Sequence, residues 1–273
     1  MIIDSHTHIF PDRIAASAIA KLESFSPLAV AHTDGTMSGL LDSMDREGVD
    51  YSVILPVVTD SRQFDSINNF AAKNNSGRII YFGGIHPDCE FPEEKIKYIA
   101  SLGLIGVKLH PDYQSTFIDD IRYIRIVRAA LQEGLYVTIH SGVDIGMPET
   151  VHCTPERAVH LLDAVEDLNC GESKIIFAHF GAHGMADEVI AHLCGKNCLF
   201  DTAFTLMHED TQKLVRIIKA HGADKILFAT DSPWSSQRES IDRINALPLD
   251  EREKRMILGE NAARLFKISE STV

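Results

Sequence analysis

Eight short apolar runs, each followed by a segment of helical periodicity, recur along the chain at roughly 30-residue intervals. The first opens with Ile2-Ile3, and the others lie at 51–58, 78–86, 104–110, 135–140, 174–179, 198–203 and 225–231. Helical spacing is predicted between them at 12–25, 36–47, 63–75, 93–102, 119–133, 154–168, 186–194 and 208–221, then at 238–247 and 250–266. The punctuation agrees: Gly48 and Gly222 stand where helices should end, and Thr154-Pro155 reads as a cap followed by a first-turn proline. Runs that are apolar throughout, rather than alternating, are buried on both faces, which belongs to parallel strands covered by helices. Eight such units favour a (β/α)8 (TIM) barrel over an open doubly wound sheet. The absence of Gly-x-Gly-x-x-Gly after the first run also argues against dinucleotide binding. No low-complexity linker divides the chain, so residues 1–273 read as one domain.

Charge narrows the partners. Against 26 Lys+Arg stand 39 Asp+Glu, a net charge of −13, which disfavours nucleic acid, although acidic surfaces also serve plain solubility. No apolar run reaches membrane length and the N-terminus lacks a signal-peptide pattern, so no membrane association and a cytoplasmic location are expected. The five cysteines (89, 153, 170, 194 and 198) include no Cys-x-x-Cys pair. Cys194 and Cys198 lie close enough in a helical stretch to touch, but reduced thiols are the expected state. A homodimer is the base-rate expectation for assembly.

In a parallel barrel, chemistry sits at the C-terminal strand ends. The polar residues at those ends are His6 and His8 on the first run, His86 on the third, Lys108 and His110 on the fourth, His140 on the fifth, His179 on the sixth and Asp231 on the eighth. His6 and His8 are two apart and should share a face, with Asp4 one step below on the same face. Two adjacent imidazoles at a strand end can grip one divalent metal, or can be merely a polar terminus. His32, His152, His160, His192, His208 and His221 fall on helices and loops and read as surface or local packing.

The stretches Asp4-Ser-His-Thr-His8, Gly106-Val-Lys-Leu-His-Pro111, Ile139-His-Ser-Gly142, Ala178-His-Phe-Gly181, Phe228-Ala-Thr-Asp-Ser-Pro-Trp234 and Gly259-Glu-Asn-Ala-Ala-Arg-Leu-Phe266 together carry a resemblance. In them the chain resembles the amidohydrolase superfamily, in its amidohydrolase-2 branch, which includes aminocarboxymuconate-semialdehyde decarboxylase. The resemblance implies a divalent metal, zinc first with manganese and iron also suited, held by His6, His8 and Asp231, with His140 as a further ligand. His179 is implied as a second-metal ligand or a hydrogen-bonding catalytic residue. Lys108 is ambiguous. In dihydroorotase-like members a lysine at this place is carbamylated and bridges two metals, whereas mononuclear members manage without the modification. One or two metals per chain are therefore both open. DNases of the TatD type share the barrel and the His-x-His opening, but carry a glutamate where Lys108 stands.

The leading expectation is a metal-dependent hydrolase, in which zinc-activated water attacks an amide, lactone or ester carbonyl and Asp231 handles the proton. The alternative is a decarboxylase of an unsaturated or aromatic carboxylic acid. Either takes a small-molecule substrate, for which Arg62, His86, His110, Tyr113, His183, Phe204 and Trp234 are candidate pocket residues on the strand-to-helix loops. His6→Ala or Asp231→Asn is expected to abolish turnover while leaving the fold largely intact, measured by activity beside circular dichroism. Near-wild-type turnover in either would remove both residues from these roles.

Overall fold

A computed structural model describes residues 1–269. The strands are β1 (Ile3–Thr7), β2 (Tyr51–Ile54), β3 (Ile79–Tyr81), β4 (Gly83–Gly84), β5 (Gly106–Leu109), β6 (Tyr136–Ile139), β7 (Ile175–Phe177), β8 (Leu199–Asp201) and β9 (Ile226–Leu227). All pair in parallel with their sequence neighbours, β1 to β3 in one ladder and β4 to β9 in another. The third apolar run is thus two short strands interrupted at Phe82, whose amide still donates to Ile54 O (3.0 Å) before Gly83 takes up pairing with Val107. The ring closes between the first and last runs. Ser5 N donates to Phe228 O (2.8 Å), Asp231 N to His6 O (2.9 Å) and His8 N to Ser232 O (2.6 Å). The chain therefore folds as the (β/α)8 barrel that its eight-fold pattern predicts.

Strand alternation sorts the side chains into two sets. Val107, Leu109, Val137, Ile139, Ile175, Phe177, Phe200 and Ile226 pack outward into the core shared with the helices. Ile3, Val53, Phe82, Tyr136, Ile176, Leu199 and Leu227 cluster with Leu265 and Phe266 of the last helix, Asn261–Phe266. Phe82 sits where a Cβ on Gly106 would lie 2.4 Å from its ring, so that glycine makes room for it. Further along the same faces come Lys108, Thr138, His140 and Asp201.

The helices follow their predicted positions with informative differences. Met37–Glu47 is capped by Thr36, which accepts from Gly39 N, and ends on Gly48 in the left-handed region. The helix expected over 208–221 starts later, as Thr211–His221, because Asp210 caps it by accepting from Gln212 N and Lys213 N, and a separate short helix, Thr205–His208, precedes it. The last helix changes to π geometry over Met256–Glu260, where Gly259 packs on Met1 O at a distance no Cβ would tolerate. Cys198 precedes β8 rather than lying in a helix with Cys194, and all five cysteines are free. No helix among the described residues is long and apolar enough to cross a membrane.

Strand β1 corrects one expectation. Its register with β2 slips between Asp4 and Thr7, so the two-residue parity does not carry through the strand. The Asp4 carboxylate does not join the His6 and His8 imidazoles and is fully buried, accepting from Thr230 N (2.9 Å), Thr230 Oγ1 (2.6 Å), Gln237 Nε2 (2.9 Å) and the His6 amide (3.4 Å). Burial pushes its carboxyl up to about 6, against those hydrogen bonds. It ties β1 to the end of the last run and to the helix Gln237–Ala246. Asp4→Ala strands four buried donors and is expected to cost about 1–3 kcal/mol or more in urea unfolding. An unchanged midpoint would show that this tie contributes nothing.

Candidate metal centre

The two imidazoles of β1 are held in one tautomer each by what lies behind them. His6 Nδ1 is 2.8 Å from Asp201 Oδ2, and His8 Nδ1 is 2.8 Å from Leu55 O. A carboxylate and a carbonyl can only accept, so Nδ1 carries the proton in both rings. Burial, then the neighbouring Lys108, holds the His6 imidazolium well below its usual range, so its Nε2 is a bare lone pair. The two Nε2 atoms lie 3.1 Å apart, and Asp231 Oδ1 is 3.3 Å from the first and 3.1 Å from the second. Asp231 stands with φ of +67°, a left-handed conformation that an aspartate tolerates better than most residues.

Three electron-pair donors therefore converge on one point. Ligand atoms about 2.0–2.1 Å from a tetrahedral ion are separated by about 3.3 Å, close to the spacings here. A metal-bound histidine characteristically donates its other N–H to a carboxylate or a carbonyl, and both of these do. The set fits a divalent cation. Lys108 also reaches this point, with Nζ 3.1 Å from His6 Nε2 and the side chain buried. Burial brings its ammonium down to about 8, against the pull of Asp201 and Asp231.

His179 and His140 stand one ring further out. His179 Nδ1 donates to Ala203 O (3.0 Å) and its amide to Asp201 Oδ1 (2.8 Å), while its Nε2 lies 2.9 Å from His140 Nδ1. Burial pushes His179 down to about 4 and His140 well below its usual range. His140 does not join His6, His8 and Asp231. It groups instead with His110 and Asp144, whose ligand atoms all lie within 4.8 Å of one another. Gly142 (φ +84°) allows this loop to press on the next, since a Cβ there would lie 2.1 Å from His183 N.

The expected pocket residues separate. His110 stacks on His140 (4.1 Å) and on Tyr113 (4.0 Å), so an unbroken row of rings runs from His6 through His179, His140 and His110 to Tyr113. His183 holds Thr205 Oγ1 (2.9 Å) and meets the Phe204 ring edge-on. Trp234 lines a separate groove of about 390 Å³ with His32, Met207 and His208. His86 is buried with Nδ1 accepting from Asp88 N (3.2 Å) and belongs to neither cluster. Arg62 does not line the site at all. Asp60 grips its guanidinium through Nε (2.8 Å) and Nη2 (2.5 Å), and its side chain is 88% exposed.

Three functional-looking carboxylates went unread in the sequence. Asp201 ends β8 and was legible by the strand-end rule that found the others. Asp112 and Asp144 sit in loops after β5 and β6, where no periodicity marks them. Asp112 is fully buried and takes His152 N (3.1 Å) and Nδ1 (2.9 Å) on one oxygen, so His152 packs locally as expected.

An amidohydrolase family model matches residues 3–268. No curated protein sequence matches the chain significantly. Among solved structures, the chain is similar to 5-carboxyvanillate decarboxylase from Sphingomonas paucimobilis, with 17% identity over 98% of this chain and 99% of that one and a TM-score of 0.73. It is similar to a dihydroxybenzoic acid decarboxylase from Polaromonas sp. JS666, solved with manganese and 2-nitroresorcinol, with 16% identity over 99% and 98% and a TM-score of 0.72. A Pseudomonas putida protein assigned as a 2-pyrone-4,6-dicarboxylic acid hydrolase is also similar, with 18% identity over 99% and 98% and a TM-score of 0.65. At these identities the likeness establishes the fold.

Asp201→Ala removes the acceptor that holds His6 in its ligating tautomer. It is expected to weaken manganese binding about 10–100-fold by isothermal titration, the usual effect of losing such a partner. Unchanged affinity would show that His6 is oriented by other means.

Proposed function

The chain belongs to the amidohydrolase family, and on that premise we propose that it is a metal-dependent decarboxylase of a small aromatic or unsaturated carboxylic acid. One observation carries the reading: the cation-type cluster of His6, His8 and Asp231 adjoins a row of rings ending at Tyr113. An anionic head can meet positive charge there while a planar body packs at the Tyr113 end of the row, both faces of His110 being taken by His140 and Tyr113. That two of the similar structures are decarboxylases of aromatic acids supports the same class.

His6, His8 and Asp231 would hold a divalent cation, which when bound would supply positive charge for the acidic oxygens of the substrate. The donor set suits zinc, manganese or iron, and the manganese in the Polaromonas structure makes that metal the first to test. The protein's own groups do the rest. Asp201 and Leu55 O hold a proton on Nδ1 of each ring and so turn both Nε2 atoms toward Asp231. In decarboxylation the bond to the carboxyl carbon breaks, CO2 leaves, and the electron pair left on the substrate carbon takes a proton. His179 cannot provide that proton, since its Nδ1 proton is held by Ala203 O and burial keeps the ring neutral. Lys108 can. Its Nζ lies within the cluster, and burial brings its pKa down to about 8, so below that range the ammonium can hand over a proton and be restored. This role requires an unmodified amine and stands in place of the bridging carbamate.

Hydrolysis of a lactone, ester or amide is the second reading. The carboxylate of Asp231 within the centre, where the resemblance puts the residue that handles the proton of an attacking water, favours it, as does the hydrolase assignment of the Pseudomonas protein. One assay separates the two. Manganese-loaded protein is expected to release CO2 from a panel of hydroxybenzoates and carboxylated methoxyphenols, and to leave lactones, esters and amides intact. Cleavage of those bonds without CO2 would reverse the order. The pH profile tests Lys108. If its ammonium donates, kcat/KM falls as pH rises through the lysine pKa, at about 8 or below, since a nearby cation can only lower that value further. In Lys108→Met the rate should collapse. A rate that climbs steadily to pH 10 would remove Lys108 as the acid.

A further inference from the structure

We propose that the groove at Trp234 is a ligand site of its own and takes an organic ammonium, a positively charged nitrogen on a small apolar or aromatic body. The groove, of about 390 Å³, lies between the 27–32 segment, the short helix Thr205–His208 and the start of the helix Gln237–Ala246. Main-chain hydrogen bonds tie its walls together, His32 N donating to Pro233 O (2.7 Å) and Trp234 N to Asp231 O (2.9 Å). It is a fixed feature of the strand-to-helix loops.

The lining selects the ligand by charge. Glu239 is the acidic side chain on the groove, and no lysine or arginine lines it. Ser236 caps the helix and accepts from the Glu239 amide (3.3 Å), which holds Glu239 in the first helical turn beside the groove. An acidic residue there also complements the helix dipole, a role that leaves its charge free for a ligand. Burial pushes the His208 imidazolium below its usual range, so at neutral pH that ring adds surface and no charge. Leu28 and Val30, about half exposed, add apolar wall, and Trp234 adds an indole. A cation over an indole face is held by the ring quadrupole, and a nearby carboxylate strengthens the hold. Ser235 lines the same wall, and its buried hydroxyl has no hydrogen-bond partner, so a donor entering beside it meets an oxygen not already engaged. An aromatic acid finds no counter-charge here and is repelled by Glu239. The groove is therefore not the seat of the substrate carboxylate, and it rests on neither reading of the reaction.

Trp234 is the only tryptophan in the chain, so its emission reads the groove directly. The full chain, stripped of metal or loaded with Mn2+, is titrated with benzylamine, benzyl alcohol and benzoate, which share one ring and differ in charge. Benzylamine is expected to change the emission saturably, with an affinity about tenfold above that of benzyl alcohol and equal in the two forms of the protein. Benzoate should not displace it. Glu239→Gln, with circular dichroism unchanged, should lower benzylamine affinity about tenfold, to the level of benzyl alcohol. No saturable change with benzylamine would overturn the proposal, as would displacement by benzoate or full affinity in Glu239→Gln. Benzylamine that binds only in the absence of Mn2+ would sit among His6, His8 and Asp231 and would overturn it as well.

Discussion

Closure of the barrel between β1 and the segment after β9 is the constraint on which the candidate centre depends. The two stretches lie more than 200 residues apart in sequence and are joined by main-chain hydrogen bonds, Ser5 N to Phe228 O, Asp231 N to His6 O and His8 N to Ser232 O. Those bonds set the carboxylate of Asp231 against the imidazoles of His6 and His8 without reliance on flexible side chains. The buried Asp4, which takes three donors from the far side of the seam, reinforces the closure. The site is thus built where the fold must be joined for the sheet to have no edge.

Behind the three ligand atoms lies a layer that decides protonation rather than position. Asp201 serves His6 through one oxygen and the His179 amide through the other, so a single buried carboxylate couples the first strand to the sixth and seventh runs. Leu55 O does for His8 what Asp201 does for His6. In a low-dielectric interior such contacts place a proton on a defined nitrogen of each ring and aim the other nitrogen inward. Lys108 is the cationic side chain in this cluster, and burial brings its pKa near neutrality. A buried amine and a candidate cation site thus share the same few ångströms.

Most of this architecture was legible because its signals are local. Uniformly apolar runs with helical segments between them report burial on both sides, and the caps at Thr36, Gly48 and Thr154 mark helix ends through a residue's own hydrogen-bonding and backbone preferences. Where a signal was not local the reading failed. The slip between Asp4 and Thr7 kept the Asp4 carboxylate from joining the imidazoles, because strand parity assumes an unbroken ladder. Arg62 differs for a local reason: Asp60, two residues before it, holds its guanidinium in solvent.

From its residues alone the chain determined the repeat, the barrel and the set of strand ends where polar side chains gather, since burial pattern and period are properties of contiguous sequence. Tertiary structure alone decided which of those side chains meet. It set His140 beside His110 and Asp144 rather than with His6, and it brought Asp201 under His6 across 195 positions. Such choices rest on the stagger of strands around a closed sheet and on loops whose aspartates have no periodicity. Both are fixed by packing between segments that are distant in sequence.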